Sequence, residues 1–516
     1  MLAAWLLLVI AVGSLSGGCA SPGCLARDYG HGSVVCVCNA EHCDVPEPLP
    51  LGQLAAGAAA HYVSSKAGER LALGMARFAP LPTLATQEKV ATLRVNYDTR
   101  FQEVLGFGGA VTDSSAILTH SLSSATADSL VRSYFGDEGI GYTFLRVPLG
   151  GCDFSTHKYQ YLDDHPGDVH LKHFNLSAED FEHKIPFIKR AVQVSPAPVK
   201  LLAASWSAPE WMKFVVDPTT NASSLKKEYY DAYAAYHVKF LEKYAAEGLD
   251  FWGITPQNEP TGGLRSSRWN MMGWQPAEMR QFLAHSFCPA LRAAGFDHLK
   301  VMLGDDNTNR LSAWQKLYKD TVLDKCVSGM AVHWYTDDET SHSVLEQVHQ
   351  QHPDKFLLYT EACIEDAVAL GSWERGARYI SNIIQVLRHW GVGWVDWNLV
   401  LDERGGPNWA GNFVDAPVVA NASADEFYKQ PMFYALAHVS RFVPPGSVRV
   451  GLEGPLEGAA FLTPDRSTVI VLLGRADGDT EAVISDAERG SLSLRVPANS
   501  MHTVVYKQHV DVRSEL

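Results

Sequence analysis

The sequence predicts an α/β protein: a (β/α)8 barrel in the middle of the chain, with β-rich ends that pair into one immunoglobulin-like sandwich. Three observations predict it. Short apolar runs alternate with helix-periodic stretches between about residues 101 and 398. The flanks lose that helical period and alternate apolar with polar residues. Two of the apolar runs end directly on a glutamate, Glu259 and Glu361, and a barrel carries its chemistry where its strands end.

The strand candidates are 104–107, 143–147, 199–203, 252–255, 300–303, 329–332, 356–359 and 393–397. Between them, 229–246, 276–294 and 373–390 repeat apolar residues three and four apart, the spacing of one helix face. Eight such units over about 300 residues make the pattern of a barrel. Outside it, Leu93, Val95 and Tyr97 alternate, as do 468–472 and 492–496, so both chain ends are expected in one sandwich. Gly106-Phe107-Gly108-Gly109 lacks the full dinucleotide fingerprint and reads as a tight barrel turn. The Ala-rich 54–60 reads as a linker.

A chain of 516 residues has room for a large catalytic domain and an accessory one. Hydrophobic content of 46% with 20% charged residues excludes a disordered chain, and a net charge of −15 without a basic stripe excludes nucleic acid as a partner. Residues 1–20 read as a signal peptide: an apolar run from Leu2 to Val12, then small residues at Gly18-Cys19-Ala20. No later stretch approaches the roughly 18 apolar residues of a membrane span, so a soluble or peripheral mature protein is expected. Sequons at Asn175, Asn221 and Asn421 agree with secretory passage as glycosylation sites, and the C-terminal Arg513-Ser514-Glu515-Leu516 loosely resembles a retention signal.

Cys24, Cys36, Cys38 and Cys43 crowd the mature N-terminus and read as two disulfides, with three pairings open; a zinc site is the rival, without a second CxxC to support it. Cys152, Cys288, Cys326 and Cys363 are scattered, and Cys363 reads as a buried structural thiol.

A carboxylate closing a buried strand loses hydration unless something uses its charge, and glycosidic cleavage uses two. The strand ends bring Asp153, Trp206, Asn258, Glu259, His333, Trp334, Tyr335, Glu361, Asp396, Trp397 and Asn398 toward one rim. Aromatic faces stack on sugar rings, while amides and carboxylates bind hydroxyls, so the set suits carbohydrate. Glu259 alternatively pairs a structural arginine such as Arg146, and His333 is expected to hold a carboxylate in place. Without an HExxH, a P-loop or a GxSxG elbow, no cofactor and no metal is expected. His349 and His352 sit too near a charged helix face to suggest one.

In order along the chain, Gly106-Phe107-Gly108-Gly109-Ala110, Cys152-Asp153-Phe154-Ser155, Asn258-Glu259-Pro260, Val332-His333-Trp334-Tyr335, Glu361-Ala362-Cys363, Asp396-Trp397-Asn398-Leu399 and Gly405-Gly406-Pro407-Asn408-Trp409, with the Cys24 to Cys43 knot, carry a resemblance. The chain resembles the lysosomal acid β-glucosidases (glucosylceramidases) of retaining glycoside hydrolase family 30, over nearly all of its mature length. The resemblance implies Glu259 as acid/base and Glu361 as nucleophile, with Tyr335 orienting Glu361 and Asn258 holding the sugar 2-hydroxyl. Asp153, Trp206, Trp397 and Asn412 would bind glucose, with Arg146 and His333 in support.

It also implies three parts: the barrel (101–398 with 431–446), the sandwich (54–100 with 447–510) and a small antiparallel sheet (21–50 with 399–430). The implied reaction takes glucosylceramide to glucose and ceramide by double displacement. The implied partners are a saposin-type activator, an anionic membrane surface on the lysosomal lumen and a sorting receptor.

The chain departs from the family in three places. Asn39-Ala40-Glu41 is not a sequon, 364–370 is short and lacks an aromatic, and 265–274 offers Trp269, Met271, Met272 and Trp274 as an apolar rim for lipid. A hydrolase of another β-linked glycan and an inactive binding relative stay open, the first favoured by a long cleft.

Overall fold

The computed structural model describes residues 23–49, 54–55, 57–80, 90–266, 268–475 and 478–508. The signal-peptide segment and the C-terminal tetrapeptide lie outside the described residues.

Eight parallel strands close into the barrel: Gly106–Ala110, Phe144–Leu149, Lys200–Ser205, Phe251–Thr255, Lys300–Asn307, Val327–His333, Phe356–Glu361 and Gly391–Asn398. Every strand candidate in the sequence falls on one of them. The closure is physical, since the first strand pairs with both the second and the eighth. Phe144, Leu202, Met302, Leu358 and Val395 fill one layer of the interior. A second layer, with Ala110, Phe154, Ala204 and Cys363, carries Trp206 and Trp397. The site therefore rests on a packed floor, as barrel interiors are filled by side-chain layers.

The Gly106-Phe107-Gly108-Gly109 segment is a correction: it is strand, not turn. The reason is crowding. A Cβ at Gly108 would lie 2.1 Å from the backbone oxygen of Phe144, and one at Gly109 would lie 2.7 Å from Leu399. The glycines let the first strand lie against its neighbours. Residues 54–60 are also corrected, because the strand Ala58–Ser65 already begins inside the expected linker.

Both chain ends build the second β structure. Ala58–Ser65, Ala72–Ala79 and Val90–Glu103 join six strands between Val448 and Lys507 into one nine-stranded hydrogen-bonded ring. The long strand Val90–Glu103 closes it, antiparallel to Val448–Glu453 and parallel to Thr480–Asp486. Leu93, Ile470, Ile484, Leu492 and Val504 form its core.

A small five-stranded sheet joins Val34–Cys38 to Glu426–Lys429, pinned by disulfides Cys24–Cys36 and Cys38–Cys43. A third disulfide, Cys288–Cys326, ties two barrel helices, and no spacing signal in the sequence pairs these two cysteines. Helix Pro431–Ser440 carries His438, which meets Thr503 at 2.8 Å and Ser64 at 2.9 Å, so barrel and sandwich share buried polar contacts.

Candidate active site

The fourth strand ends at Thr255, and the turn beyond it is clamped from several sides. Gln257 donates to the Trp206 carbonyl at 2.6 Å and accepts from the Trp274 indole at 3.3 Å. The amides of Asn258 and Glu259 donate to Ser205 and Asp305 carbonyls at 2.7 and 2.8 Å. Glu259 is thereby held at φ 40°, ψ 56°, a left-handed conformation that a side-chain-bearing residue keeps only when its surroundings impose it. Pro260 then starts a short helix and ends the strand's pairing. Glu361 is the last residue of the seventh strand and is buried.

Between the two carboxylates lies a network of charges. Arg146, fully buried on the second strand, pairs with Glu361 Oε2 and with Asp305 Oδ2 at 3.0 Å, and donates to Asn258 Oδ1 at 2.6 Å. The alternative pairing of Arg146 with Glu259 is thus replaced by Glu361 and Asp305. Tyr335 donates to the other Glu361 oxygen at 2.8 Å. His333 reaches Glu259 Oε1 through Nδ1 and Asp305 Oδ1 through Nε2, both at 3.1 Å.

Burial alone would lower the His333 pKa. The Glu361 charge and the hydrogen bonds to Asp305 and Glu259 push it up to about 10 instead, so the ring is a cation. Asp305 shows the converse: burial raises it, but Arg146 and His333 hold it well below the usual carboxylate range. One oxygen each of Glu259 and Glu361 and a His333 nitrogen lie within 4.8 Å of one another. Those are metal-ligand types, and both His333 nitrogens are already engaged by carboxylate oxygens at 3.1 Å, one from Glu259 and one from Asp305.

Opposite these, Trp206 and Trp397 stack on each other at 5.0 Å, both nearly inaccessible, with the Arg146 guanidinium 4.9 and 5.3 Å from their rings. Asp153 accepts from Asn412 at 2.8 Å. Burial pushes Asp153 up to about 7, against the Asn412 hydrogen bond and with the Glu361 and Glu259 charges adding. Asn408 fixes the Asn412 loop by accepting from the amides of Ala410 and Asn412 at 2.8 and 3.0 Å.

These groups line a cavity of about 150 Å³ that also includes Trp269, Met271, Asn307, Cys363, Glu365 and Val414. It is smaller than the ~300 Å³ at which pockets for drug-sized ligands begin. It suits one sugar ring rather than a length of glycan.

Asp153, Trp206, Asn258, Glu259, Tyr335, Glu361, Trp397 and Asn412 all meet in this cavity, with Arg146 and His333 beneath it. Asp396 and Asn398 do not. Asp396 accepts from Tyr379 at 2.8 Å and Asn398 from Thr112 at 2.8 Å, both buried away from the cavity.

The apolar rim at 265–274 is also corrected: Met271, Met272 and Trp274 are buried, and only Trp269 is partly exposed. Trp274 stacks on Phe282 at 4.9 Å, and the Gly273 amide donates to the Ser223 carbonyl, drawing the segment inward. Cys363 is a buried thiol pushed well up by burial, with Tyr335 3.4 Å away. Asn175 and Asn221 are exposed and Asn421 partly so. The sequence reading missed Asp305, Asn307 and Glu365. A signal existed for the first two, because Gly304-Asp305-Asp306-Asn307 follows the fifth apolar run as Asn258-Glu259 follows the fourth.

A (β/α)8 barrel with paired carboxylates at its fourth and seventh strand ends and a sugar-sized, tryptophan-floored cavity is the frame of a glycosidase. Comparison with known proteins makes the class specific. The Glycosyl hydrolase family 30 TIM-barrel domain matches residues 104–443, and the family 30 beta sandwich domain matches 446–504. The chain belongs to glycoside hydrolase family 30.

It is 39% identical to "Lysosomal acid glucosylceramidase" of Mus musculus over 501 residues, covering 94% of this chain and 96% of that protein. It is also 39% identical to "Putative glucosylceramidase 4" of Caenorhabditis elegans over 499 residues, covering 93% and 94%. Among solved structures, SrfJ from Salmonella typhimurium superposes with TM-score 0.80 at 26% identity, covering 88% of this chain and all of that one.

Proposed function

We infer that this chain is a retaining β-glucosidase that hydrolyses glucosylceramide to glucose and ceramide by double displacement. The observation that supports the mechanism is the closeness of the two carboxylates, with one oxygen of each within 4.8 Å of the other. Retaining enzymes hold their carboxyls about 5–5.5 Å apart, and inverting ones leave about 6.5 Å or more for a water. The cavity holding a single ring supports an enzyme that removes one terminal sugar.

Glu361 attacks the anomeric carbon while Glu259 gives its proton to the departing oxygen; water then enters as Glu259 takes a proton back, and glucose leaves. Arg146 and Tyr335 fix both Glu361 oxygens, so the nucleophile is aimed before substrate arrives. Arg146 holds Glu361 and Asp305, and His333 lies between Asp305 and Glu259, so both glutamates are positioned through one buried network. Asp153 and Asn412 receive glucose hydroxyls, Asn258 holds the 2-hydroxyl, and Trp206 and Trp397 form the floor beneath the ring.

The reading places the reaction in the lysosomal lumen. No helix among the described residues is long and apolar enough to cross a membrane. A saposin-type activator, an anionic lipid surface and a sorting receptor are its proposed partners, and Asn175, Asn221 and Asn421 its proposed glycan sites.

The test compares wild type, Glu361→Gln and Glu259→Gln on a fluorogenic β-glucoside and on glucosylceramide vesicles at mildly acidic pH. Glu361→Gln should cost roughly 10³-fold or more in kcat on both. Proton NMR of the first-formed sugar should show the β anomer. An α product would remove the retaining mechanism, and glucoside turnover without vesicle turnover would remove the lipid substrate.

A further inference from the structure

The Gly405-Gly406-Pro407-Asn408-Trp409 run has no role in the chemistry just described, yet it reaches the wall of the active site. Trp409 is half-buried and does not itself line the cavity. Its indole N–H donates to the Cys152 carbonyl at 2.6 Å, and its backbone amide donates to the Ser155 carbonyl at 3.1 Å. A residue of the loop after the eighth strand thus grips both ends of the Cys152-Asp153-Phe154-Ser155 segment after the second strand. Asp153 stands between the two grips, and Asn412 stands three residues beyond Trp409. The two side chains meet at 2.8 Å inside the cavity.

The seam is anchored on the helix Asp113–Ser121, which follows the first strand. Ser114 Oγ lies 2.7 Å from the Phe154 carbonyl and 2.5 Å from the Pro407 carbonyl, so one hydroxyl proton is shared between the two loops. Ser155 Oγ accepts from the Cys152 amide at 3.1 Å and donates to Asp113 at 2.6 Å. Asp113 in turn faces the buried Lys184 ammonium at 3.3 Å.

The carboxylates are held elsewhere. The side-chain hydrogen bonds of Arg146, His333 and Asp305 go to Thr255, Asn258, Glu259, Thr360 and Glu361 and to one another. Among the described residues none of them runs to the Trp409 seam. Phe154, edge-on to Trp397 at 5.9 Å, gives the two networks an apolar contact. A buried carbonyl that loses its donor is costly, and a binding group that shifts loses the benefit of having been placed before the ligand arrives.

We propose that Trp409 is the positioning residue of the glucose wall: it registers the Asp153 loop against the Asn412 loop, and so sets affinity for the sugar independently of the network that aims Glu259 and Glu361. The proposal rests on the reading of Asp153 and Asn412 as glucose-binding residues.

The test uses the full chain, a fluorogenic β-glucoside as substrate and free glucose as inhibitor. In Trp409→Phe, which keeps a ring but removes the N–H, KM and the inhibition constant of glucose should both rise about tenfold, the order expected when a buried acceptor is orphaned, while kcat stays within about threefold. Combined with Tyr335→Phe, the two losses in kcat/KM should multiply to within about twofold, as they do for sites without shared partners. A glucose inhibition constant within twofold of wild type overturns the proposal, and so does a kcat that falls as far as the inhibition constant rises. Losses that fail to multiply overturn the independence of the two networks. Should Trp409→Phe not fold, Asn408→Ala, which loosens the Asn412 end of the same loop, takes its place under the same limits. Asn412→Ala is the control: an unchanged inhibition constant there would remove the reading on which the proposal rests, and a wild type inactive on the glucoside would remove the β-glucosidase reading itself.

Discussion

Asp305 shows how a residue that never touches substrate can organise a site. It accepts from Thr255, Thr360, Arg146 and His333, between 2.6 and 3.1 Å, and so fixes both cations that face Glu259 and Glu361. Asp153 is its opposite in electrostatic terms. With no cation beside it, burial pushes it up to about 7 from 3.8. The folded state therefore holds a proton that the unfolded chain releases, and stability falls as pH rises from about 4 to 7 through this group. Thermal unfolding across that range should show Asp153→Asn losing this part of the slope, becoming more stable relative to wild type at neutral pH than at acid pH. An unchanged slope would mean that Asp153 titrates normally.

At the scale of elements, strand ends decide what the barrel can do, and glycines decide whether it closes. Gly108→Ala would press a methyl onto the Phe144 carbonyl, a backbone atom that cannot swing aside. A loss of about 1–3 kcal/mol is expected in denaturant unfolding, as for other overpacked sites. The strained backbone at Glu259 belongs to the same scale: one residue in a left-handed turn converts a strand end into an aimed side chain. The disulfide Cys288–Cys326 joins helices Cys288–Ala293 and Thr321–Cys326 across 38 residues. Replacing both cysteines by serine should cost about 2–4 kcal/mol in the same assay, provided reduction of the N-terminal pair is avoided.

Across the whole molecule, the joint between barrel and sandwich carries a titratable cluster. His61 and His502 meet at 2.8 Å, His502 also meets Ser500 at 2.6 Å, and His438 lies between Ser64 and Thr503. Burial lowers His61 to about 4 and His502 to about 3, the His61 charge adding to the latter, and burial likewise holds His438 well below its usual value. These rings favour the folded state while neutral. Their contribution is complete above the unfolded value of 6.5 and is lost as pH falls toward 4. Asp153 works in the other direction over the same range, so it offsets part of the cluster's loss on acidification. In thermal scans from pH 6.5 down to 4, His502→Gln should unfold earlier at neutral pH yet lose less on acidification than wild type. A parallel curve would rule the cluster out as the acid limit.

Periodicity and composition were enough for the barrel, the shared sandwich and the two glutamates, because each depends on local spacing that any neighbouring fold must respect. Strand ends also marked Asp153 and Tyr335 as rim residues, while Asn412 came from the resemblance alone, because nothing in its own surroundings marks it. Only the tertiary structure decided the rest. It brought Asp305 under both glutamates, turned Met271 and Trp274 inward, sent Asp396 and Asn398 away from the cavity, and set Glu365 at its rim. The reason is physical. Which charges meet, and which side chains a strand end can bury, depend on contacts between residues hundreds of positions apart, such as Arg146 with Glu361.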